Sequence, residues 1–168
     1  MIAFRDGAVE DAAAIDALFR ASFTETFAHL YDPRDLAAFF AAFTPDAWRA
    51  ELADLDFAFR LAEEDGRLAG YAKLAAVSLP VEPEGPVAEL RQLYVAAPWR
   101  GAGVAQSPMA WVMEAARGRG ADWLYLSVFV DNHRARRFYA RYGFEEAGRY
   151  AFMVGSHADE DLIMRARL

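Results

Sequence analysis

Apolar or small residues recur every three to four positions between residue 9 and about residue 29: Ala12, Ile15, Leu18, Phe19, Ser22 with Phe23, and Phe27. That spacing puts them on one face of a helix. Residues 2–5 precede it as a short apolar segment of strand type, broken by Asp6 and Gly7. Asp32-Pro33 ends the helical run, and Leu36, Phe39, Phe40 and Phe43 predict a second, short helix. Thr44 predicts the cap of a third helix, with Pro45 in its first turn and Trp48 and Leu52 on it. At residue 56 the period falls to two. Phe57, Phe59 and Leu61 alternate with Ala58, Arg60 and Ala62 as far as residue 63, which is a strand pattern. Asp65-Gly66 is a hairpin signal, and residues 68–77 form the returning strand. A proline-rich loop spans residues 80–86, and residues 87–95 form a third strand. A glycine-containing turn, a helix at about 104–117, a strand at 123–130 and a helix at about 133–142 follow. Strands at about 144–154 and 161–168 end the chain. This order predicts a mixed α/β sheet with a strand–helix–strand crossover in the C-terminal half. No repeat or low-complexity linker divides it, so residues 1–168 read as one domain.

Composition narrows the function classes. Of 168 residues, 55% are hydrophobic, enough for a sizeable core. There are 18 Lys plus Arg against 25 Asp plus Glu, a formal net charge of −7. No basic excess exists to neutralise a phosphate backbone, so no nucleic-acid partner is expected. The absence of cysteine removes disulfides, thiolate nucleophiles and cysteine-ligated metals. His29, His133 and His157 are far apart and lack ligand spacing, so no metal is expected. The segment MIAFRDGAVEDAAAID has no basic segment followed by a long apolar run. It is not read as a signal peptide, and no stretch approaches the roughly 20 apolar residues of a membrane span. The expected location is the cytoplasm.

Two constellations carry candidate chemistry. In the first, a strand ending at Leu93, Tyr94 and Val95 leads through a short loop to Arg100, Gly101, Ala102, Gly103, Val104 and Ala105, and then into a helix. The glycines allow close approach of backbone to ligand, and the helix start offers unpaired N–H groups to a pyrophosphate. Neither a Walker A Lys-Ser/Thr nor a complete Gly-x-Gly-x-x-Gly is present, which disfavours nucleoside triphosphate and dinucleotide folds. In the second, residues 124–130 run into DNHRARRFYARYGF, with Asn132 at the strand end and Tyr139 seven residues on. Asn132 is also readable as a helix cap, and Tyr139 and Tyr142 as core aromatics.

The pair of motifs, Arg-Gly-x-Gly-x-Ala (residues 100–105) and, about 30 residues later, Asn-x-x-Ala-x-x-Phe-Tyr-x-x-x-Gly-Phe, resembles the GCN5-related N-acetyltransferase (GNAT) superfamily. The resemblance implies a mostly antiparallel central sheet with one splayed parallel strand pair and helices on both faces. It implies acetyl-CoA as acyl donor, a primary amine as acceptor, and direct transfer in a ternary complex without a covalent enzyme intermediate. By this resemblance the backbone of Leu93, Tyr94 and Val95 pairs with the pantetheine arm and polarises the thioester carbonyl. Residues Arg100 to Ala105 hold the pyrophosphate, and Asn132 contacts the pantetheine region. Tyr139 protonates the leaving sulfur, and Glu89 occupies a position some members use as general base. Glu89 is also readable as a solvent-facing strand carboxylate. A tyrosine hydroxyl, with an ordinary pKa of about 10, keeps its proton at neutral pH and suits the acid role. Homodimers are frequent in the family, although no interface signature is visible.

Two local features leave alternatives open. Pro108 implies either a helix that starts near residue 107 or a kinked one. Trp99 either packs on the sheet or lies near the nucleotide end of the ligand. For the acceptor, SFTETFAHLYDPRDLAAFF (residues 22–40) is similar to the matching segment of bacterial polyamine N-acetyltransferases of the PaiA type. This implies a small cationic amine, with Glu25 and Tyr31 as candidate substrate-binding residues; Asp32 and Asp35 are further acids nearby. Phe23 and Phe27 are read as core in preference to pocket walls. Acetylation of protein N-termini, and non-catalytic acyl-CoA binding, remain as alternatives.

Overall fold

The computed structural model describes residues 1–168. Seven strands form one sheet: β1 (Ala3–Asp6), β2 (Ala58–Glu64), β3 (Arg67–Ala75), β4 (Val87–Val95), β5 (Trp123–Phe129), β6 (Glu145–Val154) and β7 (His157–Arg167). Their spatial order is β1-β2-β3-β4-β5-β7-β6. Every neighbouring pair is antiparallel except β4 with β5. That parallel pair is short. Val87, Ala88 and Glu89 face Trp123, Leu124 and Tyr125, and there the pairing stops. On its other side β4 stays paired with β3 as far as Val95 opposite Gly70. Residues 90–95 therefore have no partner strand on the β5 side, and the sheet opens there into a slot. This is the mixed, mostly antiparallel sheet with a splayed parallel pair that the motifs implied.

Helices cover both faces. The first layer comprises α1 (Ala12–Phe27), α2 (Pro33–Phe40) and α3 (Pro45–Ala53). Ile15, Phe19, Phe23 and Trp48 pack there with Phe59, Leu61, Tyr71 and Val154 from the sheet. The second comprises α4 (Gln106–Gly118) and α5 (His133–Ala140). Met109, Val112 and Ala116 of α4 pack on Leu124, Leu126, Leu162 and Met164. The 3.6-residue period of α1 explains its placement, because Ala12, Ile15, Leu18, Phe19, Ser22 and Phe23 are its buried residues.

Local differences from the sequence pattern have local causes. Residues 9–11 and 28–30 are single 3₁₀ turns, so α1 proper begins at Ala12 and ends at Phe27. Asp32 does more than end a helix: its carboxylate accepts the Arg34 N–H at 2.8 Å and starts α2, with Pro33 in the first turn. Thr44 caps α3 as expected. Pro108 is the third residue of α4, where its missing N–H would lack an intrahelical partner anyway. The last strand starts at His157, four residues before the expected position. Those four residues, His-Ala-Asp-Glu, include no large apolar side chain to mark a strand. No helix is long and apolar enough to cross a membrane.

Candidate functional site

The slot between β4 and β5 opens into a cavity of about 840 Å³ that reaches the helical layers on both sides. Leu93, Tyr94 and Val95 line it from β4. At the end of β4 a 3₁₀ turn (Ala97–Trp99) leads to the loop at Arg100, Gly101, Ala102, Gly103, Val104 and Ala105. Gly101 (φ +81°) and Gly103 (φ +78°) occupy the left-handed region that side chains resist. The loop delivers the chain to α4, whose N-cap residue, Ala105, offers no side-chain acceptor. No side chain caps the start of this 13-residue helix, which borders the cavity at Gln106, and the positive end of its dipole favours an anion there. Arg134 and Arg137 of α5 and Arg141 just after it also line the cavity, supplying positive charge that the net charge of −7 conceals.

The structure places the expected residues unequally. Tyr139 projects from α5 into the cavity, between the rings of Phe138 and Phe144. Burial pushes its pKa well above the ordinary tyrosine value, so it holds its proton. Asn132 lines the cavity and also caps α5, its Oδ1 accepting the Ala135 N–H at 3.2 Å. Arg100 is turned inward along the loop. Its Nε donates to the Val95 carbonyl at 2.9 Å, and its other end pairs with Glu25 at 2.8 Å. It thereby fastens the loop to both β4 and α1. Trp99 packs on the sheet side, donates from Nε1 to Glu64, sits under the Arg67 guanidinium and also borders the cavity.

Two expected residues lie outside the cavity walls. Glu25 pairs with Arg100 at 2.8 Å, is half exposed, and is not among the residues that line the cavity. Glu89 is buried at the last paired position before the splay. Its carboxylate accepts the N–H and hydroxyl of Ser78, at 2.6 and 2.9 Å, and lies 3.5 Å from Arg91. Those contacts anchor the loop after β3, and Glu89 is not among the residues that line the cavity.

The far end of the cavity, on the α1–α2 side, is aromatic and acidic. Phe23, Phe27, Phe39, Phe129 and Phe152 form its walls together with Tyr31. Phe23 and Phe27 thus serve core and cavity at once. The Tyr31 hydroxyl donates to Asp159 of β7, and the ring stacks on Phe23 at 6.0 Å. Asp159 and Asp161, which the motifs did not single out, both line the cavity and are both 6% exposed. Burial, with repulsion from Asp159, pushes the Asp161 carboxyl up to about 7. A hydrogen bond from Ser127 of β5 opposes that rise. Tyr94 ties the two ends together, since Tyr139 and Asp161 both lie close enough to disfavour its ionisation. The slot therefore has a proton donor towards the α5 face and an acid pair towards the α1 face. The sequence clue to the pair is the alternation His157, Asp159, Asp161, Ile163, a period of two with polar members.

Known proteins with the same features point one way. The sequence profile described as the acetyltransferase (GNAT) family matches residues 13–144. An uncharacterized N-acetyltransferase of Mycobacterium tuberculosis is 35% identical over 133 residues, covering 79% of this chain and 81% of that protein. The aminoalkylphosphonate N-acetyltransferase of Salmonella typhimurium is 30% identical over 102 residues, covering 61% and 66%. The crystal structure of the PaiA N-acetyltransferase of Thermoplasma acidophilum in complex with coenzyme A superposes with a TM-score of 0.80 at 20% identity. That superposition covers 100% of this chain and 99% of the other.

Proposed function

The chain belongs to the GNAT acetyltransferase family, and on that premise we propose that residues 1–168 act as one catalytic domain that moves the acetyl group of acetyl-CoA directly to a primary amine of a small molecule. The observation that carries this reading is the slot itself: an unpaired strand edge with Tyr139 on one side and an acid-floored aromatic chamber on the other.

The residues present suit acetyl-CoA. The unpaired edge of β4 can bond an extended amide-containing arm as a neighbouring strand would. The loop from Arg100 to Ala105, the uncapped start of α4 and the arginines of α5 suit its phosphates. When bound, acetyl-CoA supplies an acyl group activated as a thioester. The β4 backbone near Val95 then donates to the carbonyl oxygen as negative charge develops on it. Tyr139 keeps its proton until the leaving sulfur becomes negative and then delivers it. Arg100 acts indirectly, holding the loop against Val95 and Glu25. The aromatic walls accept methylenes and exclude water, and the acids at the floor attract a cation. A polyamine meets both conditions, and the structural likeness to a PaiA N-acetyltransferase is in keeping with it.

The test is to incubate the protein with acetyl-CoA and a panel of alkylamines, polyamines, an aminoalkylphosphonate and an alanine N-terminal peptide, following free thiol. Release with a small alkylamine or polyamine supports the reading. Release with the peptide alone moves the acceptor to protein N-termini. No release with any amine, despite measurable CoA binding, refutes transfer.

A further inference from the structure

The acid pair at the acceptor end is asymmetric. Asp159 and Asp161 are two residues apart on β7 and so share a face of the sheet. Across the ladders they stand opposite Phe152 and Tyr150 of β6, and Asp161 also opposite Phe129 of β5. Asp159 is already engaged: it accepts the Tyr31 hydroxyl and lies 3.1 Å from His157 Nε2. Asp161 pairs with no cation of the protein, and its one hydrogen-bonding neighbour is the Ser127 hydroxyl. A carboxylate more than nine-tenths buried without a counter-ion is costly to keep. The chain does not use it as a cap, a turn or an ion pair. It faces a cavity wide enough for a ligand, with aromatic walls beside it.

We propose that Asp161 is the catalytic residue that receives the acceptor's ammonium and takes its proton, so that β7 supplies the base and the acceptor is a cationic alkylamine. This rests on the acetyl transfer proposed above. An alkylammonium has no lone pair, so one proton must leave before the nitrogen can attack. Asp161 takes that proton, and the neutral amine forms the new N–C bond. The C–S bond breaks, and the sulfur takes the Tyr139 proton. The nitrogen's surplus proton passes to the Tyr139 oxygen as the amide forms, and Asp161 releases its proton to water with the product. The sum is ammonium plus thioester giving amide, thiol and one proton. The groups facing Asp161 are Asp159 with His157 beyond it on β7, Tyr31 between α1 and α2, Tyr94 on β4 and Ser127 on β5. Asp159, Tyr31, Tyr94 and Ser127 bring no positive charge to it, and His157 contacts Asp159. Burial, with repulsion from Asp159, raises the proton affinity of Asp161 towards that of a useful base at neutral pH.

The experiment uses the fastest alkylamine from the panel and records kcat/KM from pH 5 to 10 for wild type, Asp161→Asn, Asp161→Glu and His157→Gln. For wild type, kcat/KM rises tenfold per pH unit to a break near 7, where Asp161 loses its proton, and is then level. Asp161→Asn lowers kcat/KM at pH 8 by about 100-fold or more. It removes the break, so that the residual rate keeps rising towards the amine's own pKa, while acetyl-CoA affinity by tryptophan fluorescence stays within about twofold. That affinity shows the variant to be folded. Asp161→Glu recovers part of the rate together with a break, and His157→Gln keeps the break. An Asp161→Asn enzyme with wild-type rate, or with the break intact, overturns the proposal. So does loss of the break in His157→Gln. A wild type inert towards every amine refutes the transfer reading instead, a different signal from an active wild type that ignores Asp161.

Discussion

Replacing Asp161 by Asn should stabilise the fold, and by more as the pH rises. In the folded chain the Asp161 carboxyl stands at about 7 against an ordinary value of 3.8. A carboxyl raised on folding costs nothing below pH 3.8, where it is protonated in both states. It costs progressively more as the pH climbs to about 7, because the unfolded chain gives up its proton first. Above 7 the cost is constant, at about 4 kcal/mol. At pH 5 it is only about 1.6 kcal/mol on the same relation. Asn titrates in neither state. The advantage of Asp161→Asn over wild type should therefore grow by about 3 kcal/mol between pH 5 and pH 8. For a domain of this size that is a widening of the gap in Tm by about 5–10 °C. Thermal unfolding of both proteins by circular dichroism at pH 5, 6, 7 and 8 measures it. Comparing the gap across pH cancels the titrating groups that are not coupled to Asp161 and any fixed difference in how Asn packs. A gap that stays constant from pH 5 to 8 would refute the reasoning, since it would mean that Asp161 is solvated well enough to ionise normally.

Tyr139→Phe should lower kcat by about 100-fold or more while leaving acetyl-CoA affinity within about twofold; an unchanged rate would remove Tyr139 from the acid role. Arg100→Glu breaks the contacts to the Val95 carbonyl and Glu25 and sets a negative charge beside the phosphate loop. Calorimetric affinity for CoA should fall by about tenfold or more, the equivalent of one charge-assisted hydrogen bond. Gly70→Ala brings a Cβ to 2.8 Å from the Tyr94 carbonyl oxygen, on backbone that cannot step aside without moving the wall of the slot. A loss of about 1–3 kcal/mol in urea unfolding is expected, together with weaker CoA binding. Unchanged affinity would show that the end of β4 adapts.

Where a segment meets a packed core, its pattern could be read directly. Ile15, Leu18, Phe19 and Phe23 announce α1 because all four pack inward, and Thr44-Pro45 announces α3 because its cap is local. Strand β7 escaped at its start for the opposite reason. Residues 157–160 read His-Ala-Asp-Glu, and on the face they share His157 is partly exposed while Asp159 meets a cavity instead of hydrocarbon. The site divides the same way. Gly101, Gly103, Asn132 and Tyr139 sit in local motifs, and the fold brings them to one slot. Glu25 and Glu89 did not reach it, because their partners are set by tertiary contacts: Arg100 is 75 residues from Glu25 in the chain, and the Ser78 hydroxyl claims Glu89 across a loop. Asp161 could not be found from neighbours in sequence, since its meaning depends on burial and on the absence of a cation.

The short parallel pairing of β4 and β5 has a further consequence. A strand edge with unmatched N–H and C=O groups invites other chains to add to it, which is why exposed edges lead to aggregation. Here two such edges face each other inside one molecule. They are roofed by α1 on one side and α5 on the other, and closed at the end where Val87, Ala88 and Glu89 pair. A foreign β-strand would need an open approach along its whole length, and the pairing of Val87, Ala88 and Glu89 closes one end. A slender, single-file amide chain needs only the width of the gap. The same adhesiveness that would be a hazard on the outside of a sheet is thus rationed by shape to visitors thin enough to thread it.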